Sequence, residues 1–155
     1  MTSIGRGSLW GALVAALFFL APHAKAALGG PSASVESDRS HFRAARTAQY
    51  AADYSVSTLN LANGTTVREY VNAGDTVFAV SWRGRSRPDL AQLLGPSFQT
   101  LQADAVRVAG PRTRAPLHVG RPGLMLQSGG HPGAFWGRAW LPQSVPAGVF
   151  VGALQ

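Results

Sequence analysis

A serine and a histidine lie three residues apart near the C-terminal end, in the segment Gln127-Ser128-Gly129-Gly130-His131-Pro132. A serine hydroxyl becomes a nucleophile when a histidine takes its proton, and backbone N–H groups beside it can stabilise the oxyanion that forms. The pattern therefore indicates one candidate chemistry, a small hydrolase acting at the turn that carries Ser128 and His131.

The context of this serine argues against that chemistry. Its two following glycines resemble the nucleophile segment of chymotrypsin-like serine proteases, but that family has Asp where this chain has Gln127. It also needs two barrels, which a chain of this length cannot hold, and neither His41 nor His118 lies in a motif. The favoured interpretation is a glycine hairpin turn capped by Ser128.

Metal and carboxylate chemistry have no visible pattern either. His41, His118 and His131 are isolated in sequence, and the chain has no cysteine. Their spacing does not match that of metal ligands, and the seven acidic residues do not pair as a general acid and base would. We therefore expect no metal site, no cofactor and no catalytic residue.

Aromatic residues and arginines are the remaining candidates. Trp136, Arg138 and Trp140 share one parity of a predicted strand, so they would form a row along one face of a sheet. Such a row can stack on sugar rings or bind a peptide. It can also be a set of core aromatics with an arginine extending to the rim, which is the favoured alternative. The candidate ligand-binding residues are Trp136, Arg138, Trp140, Ser128 and His131.

The charge balance suggests a third possibility. The chain has 14 basic and 7 acidic residues. Arginine forks suit phosphate groups and anionic polysaccharides, so an anionic ligand held by loop arginines is the third hypothesis. The densest groups are Arg83, Arg85 and Arg87, then Arg107, Arg112, Arg114 and Arg121, all in loop-like sequence. Without a run of five basic residues, scattered solubilising charges are favoured and nucleic acid is not expected as a partner.

The N-terminal residues 1–26 have the form of a cleaved signal peptide. Arg6 precedes an unbroken apolar run from Leu9 to Leu20, Pro22 follows it, and Ala24-Lys25-Ala26 has the small-x-small form of a cleavage site. A membrane span needs about 20 apolar residues, so no transmembrane span is expected in the mature chain. The sequence predicts export to the periplasm or the medium. Without cysteine, the exported domain must fold by core burial alone.

The elements that would position these residues begin with the stretch 54–82. Three runs, YSVSTLNL, TTVREYV and TVFAVSW, are separated by ANG and NAGD, which predicts an antiparallel meander. The apolar phase of the first run changes at Ser57-Thr58, which predicts a bulge there. In the third run, alternation predicts that Phe78, Val80 and Trp82 share one face.

Helices are predicted on either side of this meander. The first helix spans Ser32 to about Ala52, and the second is capped by Asp89. The third helix begins at Pro96 and has an apolar face through Val108, so we expect it to lie across the sheet. Residues 110–123 read as a loop with a possible edge strand at 117–119.

The C-terminal part of the chain predicts a second hairpin. LMLQS would stop at Gly129-Gly130, and AFWGRAWL would resume beyond it. Gly137 in that last strand predicts a bulge or the close approach of another backbone. VFVGAL would add a short terminal strand.

Several motifs in the same order are similar to those of the domain of unknown function 2844 family. They are ALGGPSASVESDR, VREYV, VFAVSWRG, PDLAQLLG, QSGGHPGAFWGRAWLP and VPAGV. The resemblance covers essentially the whole mature chain and implies a short exported protein of Gram-negative bacteria. It implies no activity, cofactor or catalytic residue.

Together these patterns predict an α+β protein. An antiparallel sheet of five or six strands, in two hairpin-like units, would carry a helix on one face and an N-terminal helix alongside. The expected organisation is a signal peptide over 1–26, a leader and helix over 27–53, and a single domain over 54–155. The favoured function is a non-enzymatic binding module of the cell envelope, whose partner is another envelope protein or an anionic polymer.

Overall fold

The structure is a computed structural model that describes residues 28–108 and 116–154. The predicted signal peptide over 1–26 lies outside these residues, as do Arg112 and Arg114. The helices are α1 (Ser34–Phe42), α2 (Leu90–Leu94) and α3 (Pro96–Val108). The strands are β1 (Ala45–Tyr50), β2 (Tyr54–Asn60), β3 (Thr66–Asn72), β4 (Val77–Gly84), β5 (Leu117–Arg121), β6 (Leu124–His131) and β7 (Ala134–Trp140). Two short 3-10 helices span Pro142–Ser144 and Val151–Ala153.

All seven strands form one antiparallel sheet in the order β1-β2-β3-β4-β7-β6-β5. Two meanders, β1 to β4 and β5 to β7, are therefore joined by the pairing of β4 with β7. The antiparallel sheet is confirmed, whereas the expected five or six strands were too few. The chain is mostly β, with a few short helices.

The additional strand is β1, which the sequence predicted to be helical as far as Ala52. Helix α1 ends earlier, because Arg43 adopts a left-handed conformation with φ of 50°. The next residues pair with β2 over their whole length, from Ala45 opposite Asn60 to Tyr50 opposite Ser55. The alanines, arginine and glutamine of this segment favour helix in isolation, so tertiary pairing overrides their local preference.

The predicted meander of β2, β3 and β4 is confirmed, including a turn at Asn63-Gly64 in which Gly64 has φ of 79°. The predicted bulge at Ser57-Thr58 is wrong, because β2 keeps continuous register with both neighbours. The register shift lies between β3 and β4 instead, and it leaves Phe78 as the extra residue.

The strand β2 needs no bulge at Ser57-Thr58, because its apolar residues pack on both faces of the sheet. Leu59 packs on one face, whereas Tyr54 and Val56 pack on the other, so no bulge is needed to bring them together. The shift at Tyr70/Val71 also moves Phe78 away from Val80 and Trp82, against the predicted common face.

Helices cover one face, here called the helical face. Val35 of α1, Leu93 of α2 and Leu101 of α3 are buried against it, so the predicted helix across the sheet is confirmed. The predicted cap is also present, because the Asp89 carboxylate accepts hydrogen bonds from the backbone N–H groups of Ala91 and Gln92 at 3.0 and 3.1 Å. None of the helices in residues 28–108 and 116–154 is long and apolar enough to cross a membrane.

Residues 142–154 cross the opposite face, and we call them the strap and that face the strap face. Val145, Val149, Val151 and Leu154 pack there on a cluster that includes Tyr70 and Phe78. The predicted terminal strand in VFVGAL is wrong, because this segment contains the 3-10 helix Val151–Ala153. Both edges of β4 are already paired, with β3 and β7, so a segment reaching the sheet centre has to cross a face.

The junction of the two meanders depends on a glycine. Gly137 of β7 lies directly opposite Trp82 of β4, and a Cβ atom at Gly137 would overlap the Trp82 indole ring. The predicted bulge at Gly137 is wrong, since β7 keeps register with both β4 and β6. The close approach is made by a side-chain ring rather than by another backbone.

Two carboxyl groups meet beneath α1. Glu69 of β3 and Asp38 of α1 are both fully buried, and the Gln92 amide donates a hydrogen bond to Asp38 Oδ1 at 2.5 Å. Burial, and then the charge of Asp38, raise the pKa of Glu69 to about 8, while Arg46 opposes the shift. At neutral pH the Glu69 carboxyl therefore holds its proton and can donate it to Asp38.

Gly137→Ala is expected to lower the free energy of unfolding by about 2 kcal/mol, because the added methyl group forces the Trp82 ring to move. Gly123→Ala is the matched control, since a Cβ there meets no atom within 4 Å. Urea unfolding followed by tryptophan fluorescence measures both variants. Equal losses would contradict a role for the close approach.

The stability of the protein should fall as the pH rises from about 4.5 towards 8. The folded-state pKa of Glu69 is raised above its usual 4.5, so the folded state holds a proton that the unfolded state releases across this interval. A shift of this size corresponds to a loss on the order of a few kcal/mol.

Glu69→Gln should flatten this pH dependence, because an amide can donate to Asp38 without titrating. Urea unfolding at a series of pH values checks the difference. The control is Glu36→Gln, which removes a carboxylate that is exposed and paired with Arg39 at 2.7 Å. A flat wild-type profile would contradict the buried pair.

Candidate ligand-binding site

The row predicted on β7 lies on the strap face. Trp136, Arg138 and Trp140 alternate along the strand, and each is partly exposed. Trp136 lies over Gly129 of β6, where an added Cβ would be 3.0 Å from Trp136 Cζ2. A side chain at Gly129 would displace the ring, so this glycine lets the indole lie close to the sheet.

Both sides of the Arg138 guanidinium group donate hydrogen bonds. Its Nε and Nη2 atoms donate to Gln127 Oε1 at 2.8 and 2.7 Å, and Nη1 donates to the carbonyl oxygens of Val151 and Gly152 at 3.1 and 3.0 Å. Its Cζ atom lies 5.7 Å from the centroid of Trp140. Arg138 therefore connects β7 to the strap.

The charge of Arg138 is left uncompensated by these contacts. All of its hydrogen-bond acceptors are neutral, and within residues 28–108 and 116–154 it forms no ion pair with a carboxylate. A positive charge held by neutral dipoles keeps its attraction for an anion that approaches its open side.

A cavity of about 310 Å³ lies beside this arginine. It is lined by Ser81, Trp82, Arg83, Trp136, Gly137, Arg138, Gly152 and Leu154. A second cavity of about 220 Å³ continues it, with the additional lining residues Thr66 and Arg68. The two cavities share Ser81, Trp82 and Arg83, so they adjoin one another, and together they are here called the arginine groove. Among the residues that the structure describes, three arginines and no carboxylate line it.

The groove arginines come from strands rather than from loops. Arg83 lies in β4, although the sequence placed it in a loop, and Arg68 projects from β3, opposite Ser81. Sequence reasoning missed Arg68 as a site residue. Its shared parity with Tyr70 was the available signal, because Tyr70 also lies on this face.

Of the other arginines that the sequence placed in loops, Arg85, Arg87 and Arg121 do not line the groove, and Arg107 and Arg121 lie in α3 and β5 rather than in loops. Arg87 stacks over Phe135, with its Cζ atom 4.9 Å from the ring centroid. Arg85 and Arg121 are exposed elsewhere, the side chain of Arg107 is not described, and Arg112 and Arg114 lie outside the described residues.

Ser128 and His131 are not brought together. Ser128 is buried in the middle of β6, and its hydroxyl donates to the Trp136 carbonyl oxygen at 3.2 Å. His131 is exposed, and its Nδ1 atom lies 3.1 Å from the Pro132 carbonyl oxygen. Because β6 continues through Gly129 and Gly130 to His131, the predicted turn at these glycines is wrong, and the turn is formed by Pro132 and Gly133.

His41 and His118 contact residues other than Ser128. His41 Nε2 lies 3.3 Å from Asp89 Oδ2, and His118 lies on β5 opposite Gln127. Among the described residues, no group of three or more histidines, cysteines or carboxylates could hold a metal ion.

A family model described as "Protein of unknown function (DUF2844)" matches residues 24–154. No curated protein and no solved structure matches the chain.

Proposed function

The chain belongs to the DUF2844 family, and we propose that it is an exported, non-enzymatic binding module that takes an anionic polymer of the cell envelope in the arginine groove. The observation that carries this proposal is the composition of the groove lining, which among the described residues includes Arg68, Arg83 and Arg138, two tryptophans and no carboxylate. Carboxylate and phosphate groups are the ligands that such a lining attracts.

The groove offers two different kinds of contact. Arg83 is exposed at the boundary of the two cavities, so its guanidinium can reach an anion from either of them. Trp136 presents a partly exposed indole ring in the same recess, and an indole face stacks well on a sugar ring. An acidic polysaccharide carries both features, because its sugar rings alternate with anionic substituents.

The extent of the groove favours a polymer over a single small anion. Its two cavities follow one another across β3, β4 and β7, from Arg68 to Arg138. Cations spaced along a recess bind successive charges of a chain, and each adds to the affinity of the whole. Cleavage after Ala26 removes Arg6 and Lys25, so the mature chain keeps 12 basic residues against 7 acidic ones, and this net charge of +5 further favours the encounter with a polyanion.

Export to the envelope is supported by the sequence of residues 1–26, with its basic start, apolar core and small-x-small end. Expression in a Gram-negative host should yield a mature protein that starts at Ala27 and appears in the periplasm or the medium. N-terminal sequencing of fractionated cells measures this. An unprocessed chain in the cytoplasm would contradict export without affecting the groove.

Polygalacturonate is a suitable probe for the groove, and dextran is its uncharged counterpart. The mature protein should bind polygalacturonate, and the affinity should fall steeply as salt rises, because exposed charges are screened. Arg83→Gln should weaken binding about tenfold, as expected for the loss of one charge-assisted contact. Isothermal titration calorimetry measures each affinity.

Arg43→Gln is the matched control, since it removes the same charge from the exposed C-terminal end of α1. It should retain wild-type affinity after the small correction for net charge. Equal losses in the two variants would show that attraction is nonspecific, and binding of dextran as strongly as polygalacturonate would contradict a site for anions.

A further inference from the structure

Strand β1 forms one edge of the sheet and is exposed on both faces. All six of its residues, Ala45–Tyr50, are exposed, and its one strand partner is β2. An edge strand is usually protected from further pairing by a proline, a bulge or charged side chains, lysine above all. Strand β1 has no proline and no bulge, and its one charged residue, Arg46, is bonded to Ser57 of β2.

The hydrogen-bond phase of β1 is fixed by the turn that follows it. The Ala51 N–H group donates to the Tyr54 carbonyl oxygen at 2.8 Å. In an antiparallel ladder the bonded residues alternate, so Gln49 and Thr47 also bond towards β2. The N–H and C=O groups of Arg46, Ala48 and Tyr50 therefore point outward, away from the sheet.

These outward groups are self-complementary about Ala48. If two copies of β1 pair antiparallel with Ala48 opposite Ala48, then Arg46 lies opposite the partner's Tyr50, and Thr47 lies opposite the partner's Gln49. The register brings every outward donor to an outward acceptor. It also keeps the two arginines apart, which avoids like charges directly across the seam.

The side chains in this register match chemically. Arg46 is held in place, because its Nε and Nη2 atoms donate to Ser57 Oγ at 3.2 and 3.0 Å and its Nη1 atom lies 3.8 Å from Glu36 Oε2. Tyr50 is 85% exposed, the largest exposed fraction among the exposed large hydrophobic residues of the described chain. The contacts of Arg46 engage its guanidinium group with β2 and α1, so in the paired register the partner's exposed Tyr50 ring would pack on the methylene stem of this arginine.

We propose that a second copy of this chain occupies the β1 edge, giving a two-fold symmetric dimer with a continuous sheet of fourteen strands, seven from each copy. An isologous contact of this kind closes on itself. The other edge strand, β5, contacts α3. The dimer leaves the arginine groove of each copy on the strap face, so the inference is independent of the proposed function.

The absence of cysteine allows a clean cross-linking test. Ala48→Cys should form an intermolecular disulfide under mild oxidation, because directly opposite Cα atoms of a bonded pair are about 5.5 Å apart. Thr47→Cys is the matched control. Two copies of residue 47 would be offset by two strand positions, which separates their Cα atoms by about 8 Å, beyond the reach of a disulfide.

The oligomeric state provides a second readout. Light scattering after size exclusion should give twice the monomer mass for the wild type and the monomer mass for Ala48→Pro. The proline removes an outward donor and no hydrogen bond to β2, so the fold should persist, as circular dichroism would verify. Ala48→Val keeps the donor and should remain dimeric.

Four results would overturn the proposal, and three of them come from the variants and the oligomeric state. These are a monomeric wild type over the accessible concentration range, a dimer that Ala48→Pro leaves intact, and equal cross-linking of the two cysteine variants. A monomer that binds an extended peptide along β1 would assign this edge to a different partner and would also overturn it.

Discussion

The structure depends on covering strand β4 from both sides at once. All residues from Val77 to Trp82 are buried, so neither face of this strand can be left to solvent. The helices bury Val80 and Trp82 from one side, and the strap buries Phe78 and Ala79 from the other. In a chain without cysteine, this double burial supplies the cohesion that disulfides provide in many small exported proteins.

Sequence patterns identified the parts of the fold that are governed by local chemistry. Asn63-Gly64 marks a tight turn, Asp89 marks a helix start, and the β-branched runs around them mark strands. Strand β1 was not predicted from the sequence, for two physical reasons. Its residues favour helix in isolation, and a strand exposed on both faces has no alternation of apolar and polar residues to reveal it.

Sequence patterns likewise identified only part of the candidate site. Alternation along β7 placed Trp136, Arg138 and Trp140 on one face, but no local signal shows that β7 pairs with β4 rather than with a sequence neighbour. That pairing brings Arg83 to the site, and the β3 pairing adds Arg68. The role of Gly129 was also ambiguous in the sequence. Its pattern is typical of a turn residue, but in the structure it makes room for the indole ring of Trp136.

The order of the strands has a consequence for how the polypeptide assembles. Each meander contains contacts between chain neighbours only, whereas the β4 to β7 junction joins positions as distant as Ala79 and Trp140. Closing so large a loop is the entropically expensive step in folding, since local contacts can form without it. The two meanders are thus natural cooperative units of folding, each of which can form before the junction between them closes.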